Sequence, residues 1–190
     1  MSRALDTMPP RSMPAPAYSR GRMGLHWLIA LLIFTTFPLG LYMHDMALTP
    51  NKLRLFSYHK WIGVSIFLLA LARVWARAMD GAIFARPVGP RWQHAAADAV
   101  HLLLYVLIIV VPLSGWVLSS AEGFQTVWFG VLPLPDLVAK NKELANALKE
   151  LHKVLNFVML GIVVVHVLAA LQHHFLLRDG VLHRMLPGRR

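Results

Sequence analysis

The sequence predicts an all-α integral membrane protein: a bundle of four transmembrane helices with both chain ends on the cytoplasmic side. Three observations carry that expectation. Of 190 residues, 57% are hydrophobic and only 15% charged, a balance that suits lipid better than water as solvent. Four segments approach or reach the ~20 mostly apolar residues that a bilayer-spanning helix needs. Finally, residues 1–24, the 73–91 connection and the tail after 177 hold twelve arginines and no lysine, whereas the opposite side holds all six lysines and one arginine. An excess of basic residues marks the cytoplasmic side, which puts an even number of spans between two inner ends.

The elements follow in chain order. Residues 1–22 are rich in Pro, Arg and small side chains, with no apolar run of their own, and read as a flexible cytoplasmic leader. The rest, 23–187, reads as one membrane domain with spans at about 24–44, 57–79, 97–119 and 150–177. The first is longer than a signal-peptide core and lacks a small-residue cleavage site, so it is expected to be retained. Pro38 falls near its outer end, and a short connection, DMALTPNKLRLF, leads to the second. That second span carries Arg73 and Arg77 in its last turns, where long side chains can reach the headgroups. Gly and Pro in DGAIFARPVGPR end it. The third span contains Pro112 and Gly115; the longest connection, 121–146, then passes from a turn-like GVLPLPD into KNKELANALKELHK, whose helical composition leads straight into the fourth.

Composition also excludes chemistry. Without cysteine there are no disulfides, thiolate metal sites, iron–sulfur clusters or covalent C-x-x-C-H haem attachment. A formal charge of +10 is compatible with nucleic-acid binding, but in a chain dominated by apolar spans the basic residues set topology, and no nucleic-acid partner is expected. The six tryptophans (Trp27, Trp61, Trp75, Trp92, Trp116 and Trp128) fall mostly near the expected interfaces and read as an aromatic belt.

The segment HKVLNFVMLGIVVVH poses the functional question, because it is a membrane span bracketed by His152 and His166. Ionisable groups in hydrocarbon are costly to place and are commonly functional. Fourteen residues of helix make ~3.9 turns and ~21 Å of rise, so the two rings leave one face at two depths. Each depth has a counterpart on another helix: His26 is level with His166 near the inner side, and His59 with His152 near the outer. Two opposed imidazoles at each level form a bis-histidine clamp. Haem b suits it, since it needs no cysteine, accepts two neutral imidazoles and lays an apolar macrocycle between helices. Two haem b groups are therefore expected. Zinc fits less well, because each level offers two ligands. A histidine proton relay lacks acidic partners in the spans. A lone His at a span's end is also a common headgroup contact, so the matching of depths is what carries the reading. Gly40, fourteen residues after His26, and Gly63, one turn beyond His59, are placed to let a flat ring approach, or simply to pack helices.

These residues resemble the bacterial cytochrome b561 family, in particular its superoxide-oxidising members. The matching elements are His26-Trp27, H-x-x-x-G at His59, R-x-x-x-R at Arg73 and Arg77, P-L-S-G at Pro112–Gly115, E-L-H-K with a second His fourteen on, and Q-H-H-F, over residues 20–187. The resemblance implies an inner-membrane oxidoreductase with His26, His59, His152 and His166 as haem-iron ligands. It further implies superoxide as donor on the periplasmic side and ubiquinone as acceptor. On that reading His173, seven residues past His166, and Arg73, fourteen past His59, are quinone or haem-propionate contacts, with His174, Arg77 and His101 as weaker candidates. Lys60 and Lys153, each next to a ligand, would help steer an anionic donor. A solvated basic surface near anionic lipid is the alternative for the lysines. For the whole chain the alternative is a haem b subunit linking quinones to a separate redox protein, such as a dehydrogenase or hydrogenase. A histidine-based ion transporter is the third reading. His44, His94 and His183 receive no role.

Overall fold

A computed structural model describes residues 19–79 and 90–186. Most of the leader, most of the DGAIFARPVGPR connection and the last four residues lie outside the described residues. The described residues form four long helices: α1 Arg20–His44, α2 Pro50–Met79, α3 Arg91–Glu122 and α4 Lys142–Gln172. All four are long and apolar enough to cross a membrane. A two-stranded hairpin, β1 Val127–Trp128 and β2 Leu132–Pro133, lies between α3 and α4. Beyond α4 the helix widens into a π-helical turn, His173–Leu177, and a 3₁₀ turn follows at Leu182–Met185.

Three helices begin earlier than the apolar segments suggest: α2 at Pro50 rather than about 57, α3 at Arg91 rather than 97, and α4 at Lys142 rather than 150. Hydropathy locates the part of a helix that lies in lipid, whereas caps decide where the helix starts. Thr49 Oγ1 accepts the Lys52 backbone N–H at 3.3 Å, and Pro50 occupies the first helical position, where its missing N–H costs nothing. Asn141 Oδ1 likewise accepts the Leu144 N–H at 3.0 Å, with Glu143 favourably placed in the first turn. At the far end of α3, Gly123 adopts φ 80°, and its N–H returns to the Ser119 and Ser120 carbonyls. With 25 to 32 residues each, the helices exceed the ~30 Å hydrocarbon thickness. They therefore project beyond it.

Backbone packing runs around the bundle from α1 to α2, α2 to α3 and α3 to α4. The core lies at mid-depth. Ile29, Ala70 and Ile108 form one buried cluster, and Leu107, Val111 and Met159 another, with Ile33 touching both. Between α1 and α4 the rings of Phe37 and Phe157 meet edge to face, with centroids 5.8 Å apart. Much of the remaining apolar surface points outward, Leu31, Phe34, Leu102 and Leu168 among it. In water such a surface would drive aggregation; in a bilayer it is the required solvent contact.

Four of the six tryptophans are more specific than a belt. The Trp27 indole donates to the Met185 carbonyl at 2.6 Å, Trp116 to Pro135 at 3.1 Å, Trp61 to Val127 at 2.7 Å and Trp128 to Trp61 at 3.3 Å. They pin the terminal turn and the hairpin to the helices. Trp75 and Trp92 remain largely exposed, as a belt requires.

Candidate functional site

Four histidines meet as two pairs. The His26 and His166 rings lie 6.2 Å apart at an interplanar angle of 75°, and those of His59 and His152 lie 6.3 Å apart at 82°. The pairs join α1 to α4 and α2 to α4, helices that are not the close backbone neighbours of this bundle. They thus face each other across interior space rather than across a tight seam. Because His152 and His166 share α4, the pairs form an outer and an inner tier separated by ~21 Å of helix rise.

Local sequence fixes the outer rings. Ser114 Oγ donates its single proton to the Val111 carbonyl at 2.7 Å, so toward His152 Nδ1, 2.8 Å away, it can only accept. His152 therefore carries its proton on Nδ1 and presents the Nε2 lone pair inward. His59 Nδ1 lies 3.1 Å from Thr36 Oγ1, which leaves its Nε2 likewise directed at the interior. Glycines provide the room. A Cβ at Gly40 would come within 3.2 Å of His59 Cε1, and one at Gly115 within 3.0 Å of His152 Cε1. Gly40 is thus where the sequence reading put it, beside the outer tier, but it backs the imidazole itself. Gly63 lines the same interior space, and a Cβ there would meet nothing within 4 Å. Gly115, seen in the sequence only as part of P-L-S-G, is the tighter contact. Its signal was the small residue directly after Ser114, whose partnership with His152 no spacing rule reveals.

The inner tier holds a third imidazole. His101 of α3 lies 5.4 Å from His166, ring to ring. Arg73 is held against Tyr105, its Nε 3.3 Å from the phenolic oxygen, and Arg77 also lies over that ring. Arg73 is within electrostatic reach of His26, His101 and His166, and its Nη1 is buried with no hydrogen-bond partner. A buried guanidinium nitrogen without an acceptor is expensive, and a carboxylate is its natural complement. His173, at the C-terminal end of α4, bonds through Nδ1 to Asp179 Oδ2 at 2.6 Å. Asp179 escaped the sequence reading because the chain reverses through Arg178 (φ 50°) and Gly180 (φ 74°), which no periodicity anticipates. His174 turns the other way, toward His183, 5.0 Å from ring to ring.

At the outer end Lys60 Nζ donates to the Phe124 carbonyl at 3.1 Å, and Lys153 pairs with Glu150 at 3.0 Å. Both sequence-predicted steering lysines thus have partners.

The donor set fits haem b. A metal–imidazole bond is ~2 Å long, and adding each ring's own half-width brings two trans imidazoles to about 6 Å centre to centre. The separations of 6.2 and 6.3 Å match that value at both tiers. The orphaned Arg73 nitrogen suits a propionate. Among the described residues, no group of three or more His, Cys, Asp or Glu side chains is arranged to hold a bare metal ion.

Comparison with known proteins agrees. The family described as prokaryotic cytochrome b561 matches residues 17–188. The chain belongs to the cytochrome b561 family. Cytochrome b561 homolog 2 of Escherichia coli (strain K12) is 31% identical over 167 residues, covering 85% of this chain and 86% of that one. A protein of Yersinia pestis named probable superoxide oxidase CybB is 28% identical over 183 residues, 91% and 97% of the two chains. Cytochrome b562 of Cereibacter sphaeroides is 28% identical over 179 residues, 92% and 98%. As a cytochrome b561, this chain is a multi-pass protein of the bacterial inner membrane that works in haem b electron transfer.

The Ser114 hydrogen bond makes a prediction within the outer tier. Orienting partners of metal-bound histidines contribute ~10–100-fold in affinity. Were haem held between His59 and His152, Ser114→Ala would be expected to release it about that much more readily. Haem transfer to apomyoglobin, followed in the visible spectrum, measures the release.

Proposed function

We propose that this cytochrome b561 binds two haem b groups, the inner between His26 and His166 and the outer between His59 and His152, and passes electrons from periplasmic superoxide to ubiquinone. The observation that carries the proposal is the repetition of one ring-to-ring separation, 6.2 and 6.3 Å, at two depths of a single helix. Haem b held between these paired imidazoles would supply one-electron outer-sphere transfer. The chain's own residues do the rest. Residues 23–187 act as one membrane domain with both ends cytoplasmic, which places the outer tier at the periplasmic face. Ser114 and Thr36 hold the outer imidazoles, Arg73 binds an inner propionate, and the apolar layer of Leu107, Val111 and Met159 keeps water from the space between tiers.

At the inner end, His173 is the proton-holding group of the quinone site. Asp179 Oδ2, 2.6 Å from its Nδ1, orients the ring, and Nε2 is the atom left to pass a proton to a quinone carbonyl. Each superoxide loses one electron and leaves as dioxygen; two electrons and two protons convert ubiquinone to ubiquinol. The name of the Yersinia pestis relative supports superoxide as the donor.

Purified protein supplied with superoxide is expected to reduce a soluble ubiquinone analogue, followed by the quinone absorbance. Its rate should fall as salt rises, because the donor is an anion and the outer surface carries lysines. Lys153→Gln should slow it on the order of two-fold at low salt. Absence of reduction, with electron delivery from a co-purifying protein instead, would transfer the role to that of an electron-transfer subunit.

A further inference from the structure

The hairpin between α3 and α4 is unusual for a connection at the water-facing end of a membrane bundle. From Phe124 to Pro135 it contains no charged residue. It folds back along α2 rather than away from it. The Trp61 indole donates to the Val127 carbonyl at 2.7 Å, and the Trp128 indole lies 3.3 Å from both the Trp61 carbonyl and Ser65 Oγ. Trp61 and Ser65 are two and six residues inward of His59, so Trp128 reaches ~9 Å below the outer ligand. From Trp61 to Ala72 that stretch of α2 is uncharged, the part of the helix that lies in lipid.

The hairpin also meets the conditions for leaving water. Its polar side chains have partners: Thr126 is buried and donates to Ser119 Oγ at 3.4 Å, and the amide of the exposed Gln125 donates to the Leu134 carbonyl at 3.4 Å. Its backbone is bonded through Gly130 N–H to Val127, Val131 N–H to Trp128 and Leu134 N–H to Thr126. The carbonyl of Phe124 accepts from Lys60 Nζ at 3.1 Å. Meanwhile Val131 is 83% exposed, Phe129 57% and Leu132 51%. Phe129 stands in the left-handed region at φ 51°, an uncommon setting for a bulky residue, held by the Trp61 and Trp128 rings 5.4 and 5.1 Å away. A strained backbone here presents an aromatic side chain outward, beside a helix surface that already faces lipid.

We propose that the tip, Phe129–Leu132, is inserted into the acyl-chain edge of the leaflet at the His59 end, so that lipid is its partner. The uncharged tip, the hydrogen bonds that close the hairpin on itself and its continuity with the lipid-facing surface of α2 together select lipid over water. The inference rests on α2 spanning the bilayer and is independent of the electron donor and acceptor.

The absence of native cysteine makes the test direct. The full-length haem-loaded protein carrying Val131→Cys, spin-labelled and placed in phosphatidylcholine–phosphatidylglycerol nanodiscs, is examined by power-saturation spectroscopy with oxygen and with a water-soluble nickel chelate. Lys142→Cys, exposed at the start of α4, is the aqueous control. Relaxation by oxygen with loss of relaxation by nickel at 131, and the reverse at 142, supports the proposal. Strong relaxation by nickel at 131 would overturn it by placing the tip in water. Weak relaxation by both reagents would overturn it too, because the tip would then be covered by protein. Leu132→Cys provides the same reading should the first variant fold poorly.

Discussion

His166→Ala is expected to halve the haem content of the purified protein and to remove the inner signal alone. The ring lies deep in α4, 6.2 Å from His26, and its loss leaves an iron with one imidazole in an apolar site. His101 is the other imidazole near that level, 5.4 Å from the His166 ring, and its separation falls short of the 6.2 and 6.3 Å that the two pairs share. His152→Ala should do the same at the outer tier, leaving the inner haem in place. Because α4 carries one proposed ligand of each tier, the double variant should bind no haem, yet each single variant should still be a folded bundle. A pyridine haemochrome assay gives stoichiometry, and redox titration of the reduced-minus-oxidised spectrum tells which component has gone. Thermal unfolding offers a second readout, since ligand bound to the native state alone stabilises it. Loss of both haems from either single variant, or of neither, contradicts two independent sites.

The legible part of this protein was what periodicity governs. Hydrophobic runs gave four spans, and the helical repeat put His152 and His166 on one face with matching depths for His26 and His59, a pairing that the ring separations reproduce. What periodicity cannot reach are contacts between segments whose relative rotation it does not specify. Ser114 beside His152, Gly115 behind that ring and Tyr105 under Arg73 all lie on α3, which contributes no ligand to either proposed tier and carries no spacing that ties it to one. Asp179 was hidden behind a chain reversal, and the hairpin behind a turn-rich segment read only as a connection. The early start of α2 was hidden for a different reason: Thr49-Pro50 is a readable cap, but apolar length passes over the polar first turn that it begins, whereas the start of α4 was legible in the helical composition of KNKELANALKELHK.

The glycines that back the outer imidazoles should be as intolerant as the ligands. At Gly115 even a Cβ would lie 3.0 Å from His152 Cε1, and at Gly40 3.2 Å from His59 Cε1. Both rings are tied through Nδ1, to Ser114 and Thr36 respectively, so neither can swing aside without breaking that bond. Gly115→Ala asks His152 to yield a few tenths of an ångström, and some outer haem should remain bound. Gly115→Val adds two methyl groups directed at the ring, which must displace Nε2 from the line joining it to His59. Outer haem should then be lost almost completely, with inner haem retained, and helix content by circular dichroism unchanged because α3 already continues through Pro112. Gly63 is the internal control. It faces the same space from α2, but a Cβ there would meet nothing within 4 Å, so Gly63→Ala should lower outer haem occupancy only if the macrocycle itself lies against it. Comparing the three variants separates crowding of a ligand from crowding of the cofactor: Gly115→Val and Gly40→Val act through the imidazoles, Gly63→Ala through the ring plane. Full outer occupancy in Gly115→Val would mean that His152 is not held where the Ser114 hydrogen bond puts it.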